Sequence, residues 1–340
     1  MKPISIIEFA RKIGLSPTTV SQAINGRGRV SASTREMVQR KMVEYGYVPN
    51  LHAQQLVTGR SQMVVMHYTN QDLLTDLFLV EMVHGVQHAL HRRGYGLLLD
   101  TASDFSENEN LLSRWLRTGA VDGVILVQGW SDLTEWVTRF ASLRTPIVVF
   151  GDRKPPVVPH AGGFRLANET AVHAVAERLV TLGHRRIGYI GISAADVVAQ
   201  LFRSALESMG GALPPDLVAV GGFTPAGGAN AIRSLLSLPD PPTAVFCRKD
   251  DLAVGALNAA AQMGVRVPEQ LSIVGHDDVP MAASTDPPLT TVRIDCNALG
   301  EDVVGMLFRL LDHPDDVPLP GTVIATLVER ASVAPPPRSH

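Results

Sequence analysis

"SIIEFARKIGLSPTTVSQAINGRGRVSASTREMVQRKMVEYG", residues 5–46, opens with apolar side chains at Ile6, Ile7, Phe9, Ala10 and Ile13, the spacing of one helical face. Ser5 and Glu8 stand three apart, as in a capping box, and Gly14 ends the helix. Ser16 then caps a second helix whose first turn holds Pro17, where a missing N–H costs nothing. Val20 and Ile24 face inward there, leaving Thr18, Thr19, Ser21 and Gln22 on other faces until Asn25-Gly26 stops the helix. A third helix runs from near Ser31 to Gly46. Two short helices across a tight Gly-Leu-Ser turn, followed by a third, make a helix-turn-helix. The short polar groups on its second helix suit base edges in a DNA major groove, although ordinary surface helices carry them too.

Charge weighs toward the first reading without alone excluding a solvated surface helix. The 340-residue chain has a net charge of −3, but residues 1–60 hold nine Lys/Arg against Glu8, Glu36 and Glu44. The remaining 280 residues carry 21 basic against 30 acidic side chains. A basic head on an acidic body fits a chain in which only the head meets a phosphate backbone. The opening MKPISIIEFARKIG has charges inside its apolar pattern and does not read as a signal peptide. No apolar run nears the roughly 18 residues of a membrane helix, so no membrane partner and a cytoplasmic location are expected. Cys247 and Cys296 alone support neither a disulfide framework nor a four-cysteine zinc site, and no metal or cofactor is expected.

From Met63 the pattern changes to short aliphatic strands alternating with amphipathic helices. MVVMHY, GLLLDT, VDGVILV and PIVVFGD are strands, with helices at about Phe78–Arg93, Leu111–Thr118 and Leu133–Leu143 between them. After a loop rich in Gly and Pro come a helix at about Glu169–Gly183 and strands RRIGYIG, LVAVGG, TAVFC and LSIVG. Such alternation implies parallel sheets covered on both faces. Two series of this kind suggest two lobes, with a cleft at the carboxyl ends of the strands.

The stretch LSPTTVSQAINGRGRVSASTREMVQRKMVEYGYVPNLHAQQLVTGRS, with its T-V-S, Asn-Gly, V-S-x-x-T-R, G-Y-x-P-N and A-x-x-L, resembles the DNA-binding head of the LacI/GalR family of bacterial regulators. RLVTLGHRRIGYIG, PPTAVFCRKDDLAVGALNAAAQMGVRVPEQLSIVGHDDVP and DPPLTTVRID resemble the same family's sensor. The implied fold is an N-terminal all-α helix-turn-helix head plus an α/β, two-lobed sensor like a type I periplasmic binding protein. Expected limits are 1–48 for the head, 49–60 for a hinge and 61–340 for the sensor. Lobe 1 takes about 61–158 and 290–320, and lobe 2 about 159–289 and 321–334.

By that resemblance Pro17, Thr18, Ser21 and Gln22 occupy the base-reading face, while Thr19, Asn25 and Thr34 lie at phosphate-contact positions. Ser5, Ser16, Asn50 and Ala53 complete the expected DNA set, together with Leu56, which matches the family's minor-groove wedge. The hinge NLHAQQLVT, residues 50–58, is too short to be a stable helix alone and would order on DNA. Leu56 also reads as a linker residue packed on the body. The family usually has Arg where this chain has Gln22. Arg favours guanine and Gln favours adenine, so the operator should differ at that base pair.

For the sensor the resemblance implies an effector site at Phe78, Asp152, Arg153, Phe223, Arg248, Lys249 and Asp277. Asp277, first acid of G-H-D-D, would accept from ligand hydroxyls; a loop-capping role is the plainer alternative. Phe78 and Phe223 read equally well as core. An effector-binding Arg expected at Val198 is absent. Arg248-Lys249-Asp250 replaces the usual Asn-Asp, so that Lys249 would supply the lost positive group or simply pair with Asp250. Gly151 looks inserted before Asp152-Arg153. The implied effector is a sugar or sugar derivative, an acidic one included.

The implied protein is a repressor, bound as a homodimer to a near-palindromic double-stranded operator and controlled by a small molecule. The tail ASVAPPPRSH cannot form the leucine-heptad helix by which some relatives tetramerise. Rival readings are control by a protein corepressor, a sugar-binding transport protein and a nucleotide-binding enzyme. The last lacks G-x-G-x-x-G and G-x-x-x-x-G-K-[ST]; GGFTPAGG has the wrong spacing, and His184 in LGHRR reads as structural.

Overall fold

The computed structural model describes residues 4–26, 28–68, 76–101, 111–127, 134–193 and 196–337. The chain divides into two compact units, Met1–Gln62 and Met63–His340.

The first unit holds α1 (Ile6–Ile13), α2 (Pro17–Ile24), α3 (Ala32–Tyr45) and α4 (Leu51–Thr58). Its caps are those the sequence specifies. The Glu8 N–H donates to Ser5 Oγ at 3.2 Å while the Ser5 N–H donates to Glu8 Oε2 at 3.1 Å. Ser16 and Ser31 accept the N–H groups of Thr19 and Thr34 at 3.0 and 3.2 Å. Each such cap is worth about 1 kcal/mol. Phe9, Ala10, Val20, Ala23, Val38 and Tyr47 form the core, with the Phe9 and Tyr47 rings stacked at 4.4 Å. Ile7 departs from expectation: it is 67% exposed, because Ile6, Phe9, Ala10 and Ile13 already fill the inward stripe.

The second unit contains two six-stranded sheets. The first runs β11 (Gly321–Ile324), β5 (Ala161–Ala167), β4 (Ile147–Gly151), β3 (Gly123–Val127), β1 (Met63–Tyr68), β2 (Gly96–Asp100), all pairings parallel. Against it pack α5 (Leu77–His91), α6 (Leu111–Thr118), α7 (Thr134–Ala141) and α12 (Cys296–Asp312). The second sheet runs β12 (Thr326–Val328), β10 (Thr290–Arg293), β9 (Ser272–Asp277), β8 (Ala244–Cys247), β6 (Ile187–Gly191), β7 (Val218–Val220). Only its β10–β12 pair is antiparallel. Here α8 (Glu169–Thr181), α9 (Val197–Ser208), α10 (Pro225–Leu236) and α11 (Asp250–Gln262) supply the cover. The β3, β4, β6, β8 and β9 strands are buried along their whole length, which is why they read as unbroken aliphatic runs.

Sheet membership moves the expected lobe limits. β5 lies in the loop read as Gly- and Pro-rich, yet it pairs with β4, so lobe 1 extends through Ala167. β11 returns to that first sheet, and β10 belongs to the second. The glycines that hid β5 are part of its packing: a Cβ on Gly163 would stand 2.1 Å from the Val149 carbonyl oxygen. The chain therefore crosses between lobes three times: at Asn168, at Ile294-Asp295, and at Ala325 between β11 and β12. The start expected at Leu133 for α7 lies outside the described residues.

GGFTPAGG serves packing. Gly228 lets α10 touch the Leu252 carbonyl on α11, and Gly255 on α11 meets the Pro225 carbonyl in return. His184 is buried, its Nδ1 2.8 Å from Thr243 Oγ1 and its Nε2 2.9 Å from the Ala334 carbonyl oxygen. Residues 329–337 form no helix, and the Ala334 N–H donates to Ser272 Oγ at 3.0 Å.

Candidate functional site

In the first unit the second helix presents the expected polar face. Ser5, Ser16, Pro17 and Thr18 are exposed, and Thr19, Ser21, Gln22, Asn25 and Thr34 are half-buried. Thr19 and Thr34 are held locally, their hydroxyls 2.8 Å from Ser16 and Ser31, and Asn25 Nδ2 donates to Ser21 Oγ at 3.3 Å. The Gln22 carboxamide bends back toward Gly28. Asn50, just before α4, and Ala53 on that helix are exposed, and Leu56, also on it, is 89% exposed. An apolar leucine left that bare has no packing role within the unit.

In the second unit a cavity opens between the lobes. Phe78, Asp152, Arg153, Phe223, Arg248, Lys249 and Asp277 all line it. Strand ends put them there: Asp152 follows β4, Arg248 and Lys249 follow β8, and Asp277 closes β9. Gly151 is the last residue of β4, paired with Arg165, so the apparent insertion lengthens the strand. Asp76, Tyr68, Phe150, Ile192, Val197 and Ile294 also line the cavity and were not expected from the sequence. Asp76 alone had a legible signal, since it precedes LFLV as an N-cap would; its Oδ1 accepts from the Phe78 and Leu79 N–H groups.

The polar groups form one connected set. Lys249 Nζ donates to Asp76 Oδ1 at 2.8 Å and to Asp277 Oδ2 at 3.1 Å. Arg248 Nη2 donates to Asp152 Oδ2 at 3.1 Å, and Asn168 Nδ2 donates to the other Asp152 oxygen at 3.0 Å. His276 lies between, Nδ1 2.8 Å from Asp277 Oδ1 and Nε2 3.1 Å from Asn168 Oδ1. Burial opposes charge on Lys249, but Asp277 and then Asp76 outweigh it and push its pKa up. Burial likewise would raise Asp277, yet Lys249 and His276 hold its carboxyl well below the usual range. Both groups are therefore ionised at neutral pH.

Two expectations are corrected here. Asp250 does not pair with Lys249: it accepts from Thr291 Oγ1 at 2.6 Å and from the Val279 N–H at 2.9 Å, and burial drives its pKa well up. Val198 is fully buried with Phe202 in the core, while its neighbour Val197 faces the cavity. An apolar wall thus stands where an Arg was looked for. Asp277 and Asp278 point apart, as adjacent residues should. Asp278 accepts from Arg293 Nε and Arg330 Nη2, both at 2.5 Å, away from the cavity.

Comparison with known proteins places this geometry. The profile described as "Bacterial regulatory proteins, lacI family" matches residues 5–50, and a periplasmic binding protein-like domain matches residues 176–333. The HTH-type transcriptional regulator AscG of Escherichia coli K12 is 30% identical over 98% of this chain and 99% of its own. The chain belongs to the lacI family. Among solved structures, the complex of the transcriptional regulator CelR with cellobiose is 31% identical, with a TM-score of 0.69 over 97% of this chain and 99% of CelR. The operator-bound lac repressor dimer, 24% identical, shares the fold, with a TM-score of 0.79 over 98% and 100% of the two chains. The lacI family consists of transcription regulators, so the reading as a nucleotide-binding enzyme falls. No helix among the described residues is long and apolar enough to cross a membrane.

Proposed function

We propose that this lacI-family regulator represses transcription in the cytoplasm by binding a near-palindromic operator as a homodimer, and that an uncharged sugar in the cleft sets its operator affinity. The head reads one half-site, with Pro17, Thr18, Ser21 and Gln22 toward bases and Ser5, Ser16, Thr19, Asn25, Thr34 and Asn50 toward the backbone. Ala53 and Leu56 of the hinge enter the minor groove, Leu56 as the wedge. A protein that reads half a site gains a full one by twofold symmetry.

The observation that carries the effector's chemistry is the pairing of Lys249 with Asp76 and Asp277 and of Arg248 with Asp152. Neither buried cation is left over for an anionic ligand. Ring faces at Phe78 and Phe223, with carboxylates beside them, suit a molecule that has hydroxyl edges and an apolar face. CelR, 31% identical, was solved with cellobiose. Arg153 makes no ion pair among the described residues, and this favours an acidic sugar derivative as the second reading.

Effector and operator then affect each other reciprocally through the angle between lobes. The test is selection of operators from random duplexes, followed by calorimetry of the purified protein against neutral sugars, sugar acids and purines. Affinity for sugar acids alone overturns the neutral reading. No preference among duplexes, with or without sugars, overturns the regulator.

A further inference from the structure

Two salt bridges of the cleft do more than line it: Lys249–Asp76 and Arg248–Asp152 each join one lobe to the other. Lys249 belongs to the second lobe and Asp76 to the first, where it caps α5. The next residue back, Arg248, reaches the opposite first-lobe wall at Asp152. Two consecutive cations at the end of β8 thus grip the first lobe at two places. Lys249, Asp76 and Asp277 retain side-chain exposures of only 6%, 6% and 4%. Asp251, in the first turn of α11, lies near enough to the Leu77 N–H at the start of α5 for that dipole to favour its ionised form. Asp277 itself has a φ of 109°, a backbone conformation that a non-glycine residue keeps only when its surroundings hold it.

We propose that Asp76 is a positioning residue for the effector response: through Lys249 it clasps the two lobes together before any effector arrives. This rests on the cleft being the effector site and concerns how that site is kept formed. Opening the lobes separates Lys249 from Asp76 and lets water in between them, so the attraction that the pair has in the buried cleft is lost. The closed fraction of the ligand-free protein then depends on Asp76, and the apparent effector affinity scales with that fraction.

Asp76→Asn tests this directly. It keeps an oxygen to cap α5, so the helix survives while the charge is removed. Small-angle X-ray scattering on the full-length, ligand-free protein should show a larger radius of gyration for Asp76→Asn than for the wild type. Asp152→Asn should act in the same direction, and Asp302→Asn on α12 should have no effect. Circular dichroism melts accompany each variant, and Asp76→Glu, which restores the charge, should recover part of the compaction. A folded Asp76→Asn with the wild-type radius of gyration overturns the clasp. The readout needs no sugar, so failure of every sugar to bind would remove the effector reading and leave this result standing.

Discussion

The carboxamide of Gln22 lies over the bare Cα of Gly28, so closely that a Cβ on Gly28 would stand 2.7 Å from Gln22 Cδ and 2.8 Å from its Oε1. Gly28 has a φ of 77°, so the loop between α2 and α3 both bends there and makes room for Gln22, the residue proposed to read a base. Gly28→Ala should therefore push Gln22 aside and alter preference at one base pair of each half-site, beyond any general loss of affinity. Operator selection checks it in a cycle with Gln22→Ala, in which Gly28→Ala should no longer change preference. Gln22→Arg should move that preference from adenine toward guanine, a discrimination of about 1–3 kcal/mol.

Leu56 offers a second test, because its exposure means that truncation removes no packing inside the unit. Leu56→Ala should leave the melting temperature unchanged and weaken operator binding by roughly tenfold or more, with reduced DNA bending in gel-shift assays.

Lys249 should matter to stability before it matters to ligand. Lys249→Ala takes from the buried Asp76 and Asp277 the cation they share, at a cost of about 3–5 kcal/mol in denaturant unfolding. Lys249→Met combined with Asp76→Asn should be milder than Lys249→Met alone, since one carboxylate instead of two then loses its cation.

Asp251 gives the pH dependence a sign. Burial is the main cause that raises its pKa, to about 6, against the opposing pull of Lys249, the next largest cause. A carboxyl whose folded pKa is raised binds its proton more tightly when folded, so its contribution is complete below the unfolded value near 4 and fades as pH climbs through 6. Asp251→Asn, which keeps an oxygen near the Leu77 N–H, should equal the wild type at pH 4. At pH 8 it should be more stable, by on the order of 1–3 kcal/mol in urea titrations.

Much of this molecule is legible from residue spacing, and the exceptions have physical causes. The head is readable because every helix carries its own punctuation in Ser5, Gly14, Ser16, Ser31 and Gly46. The cleft residues at strand ends are readable for a similar reason: buried parallel strands announce their carboxyl termini, and Asp152, Arg248, Lys249 and Asp277 follow directly. β5 is hidden because Gly162 and Gly163, with no side chains, give no alternating signal although the backbone pairs fully. The partners of Lys249 are hidden for a different reason. Asp76 is 173 residues away in sequence, and the nearer acid, Asp250, is drawn off by Thr291 and the Val279 N–H. Val198 shows the limit of position matching, since one residue's rotation on α9 exchanges the cavity for the core.

Two of the three passages between lobes are single residues, and one of them, Ala325, is buried with its N–H tied to the Ala167 carbonyl oxygen at 3.1 Å, beside the other at Asn168. Neighbouring tethers with no slack act as a pivot: they resist sliding and stretching and leave rotation about their own line as the soft motion. Whatever widens or narrows the far rim is thereby geared into a swing of predetermined axis, so ligands of different shapes would all produce the same kind of movement and differ only in its extent.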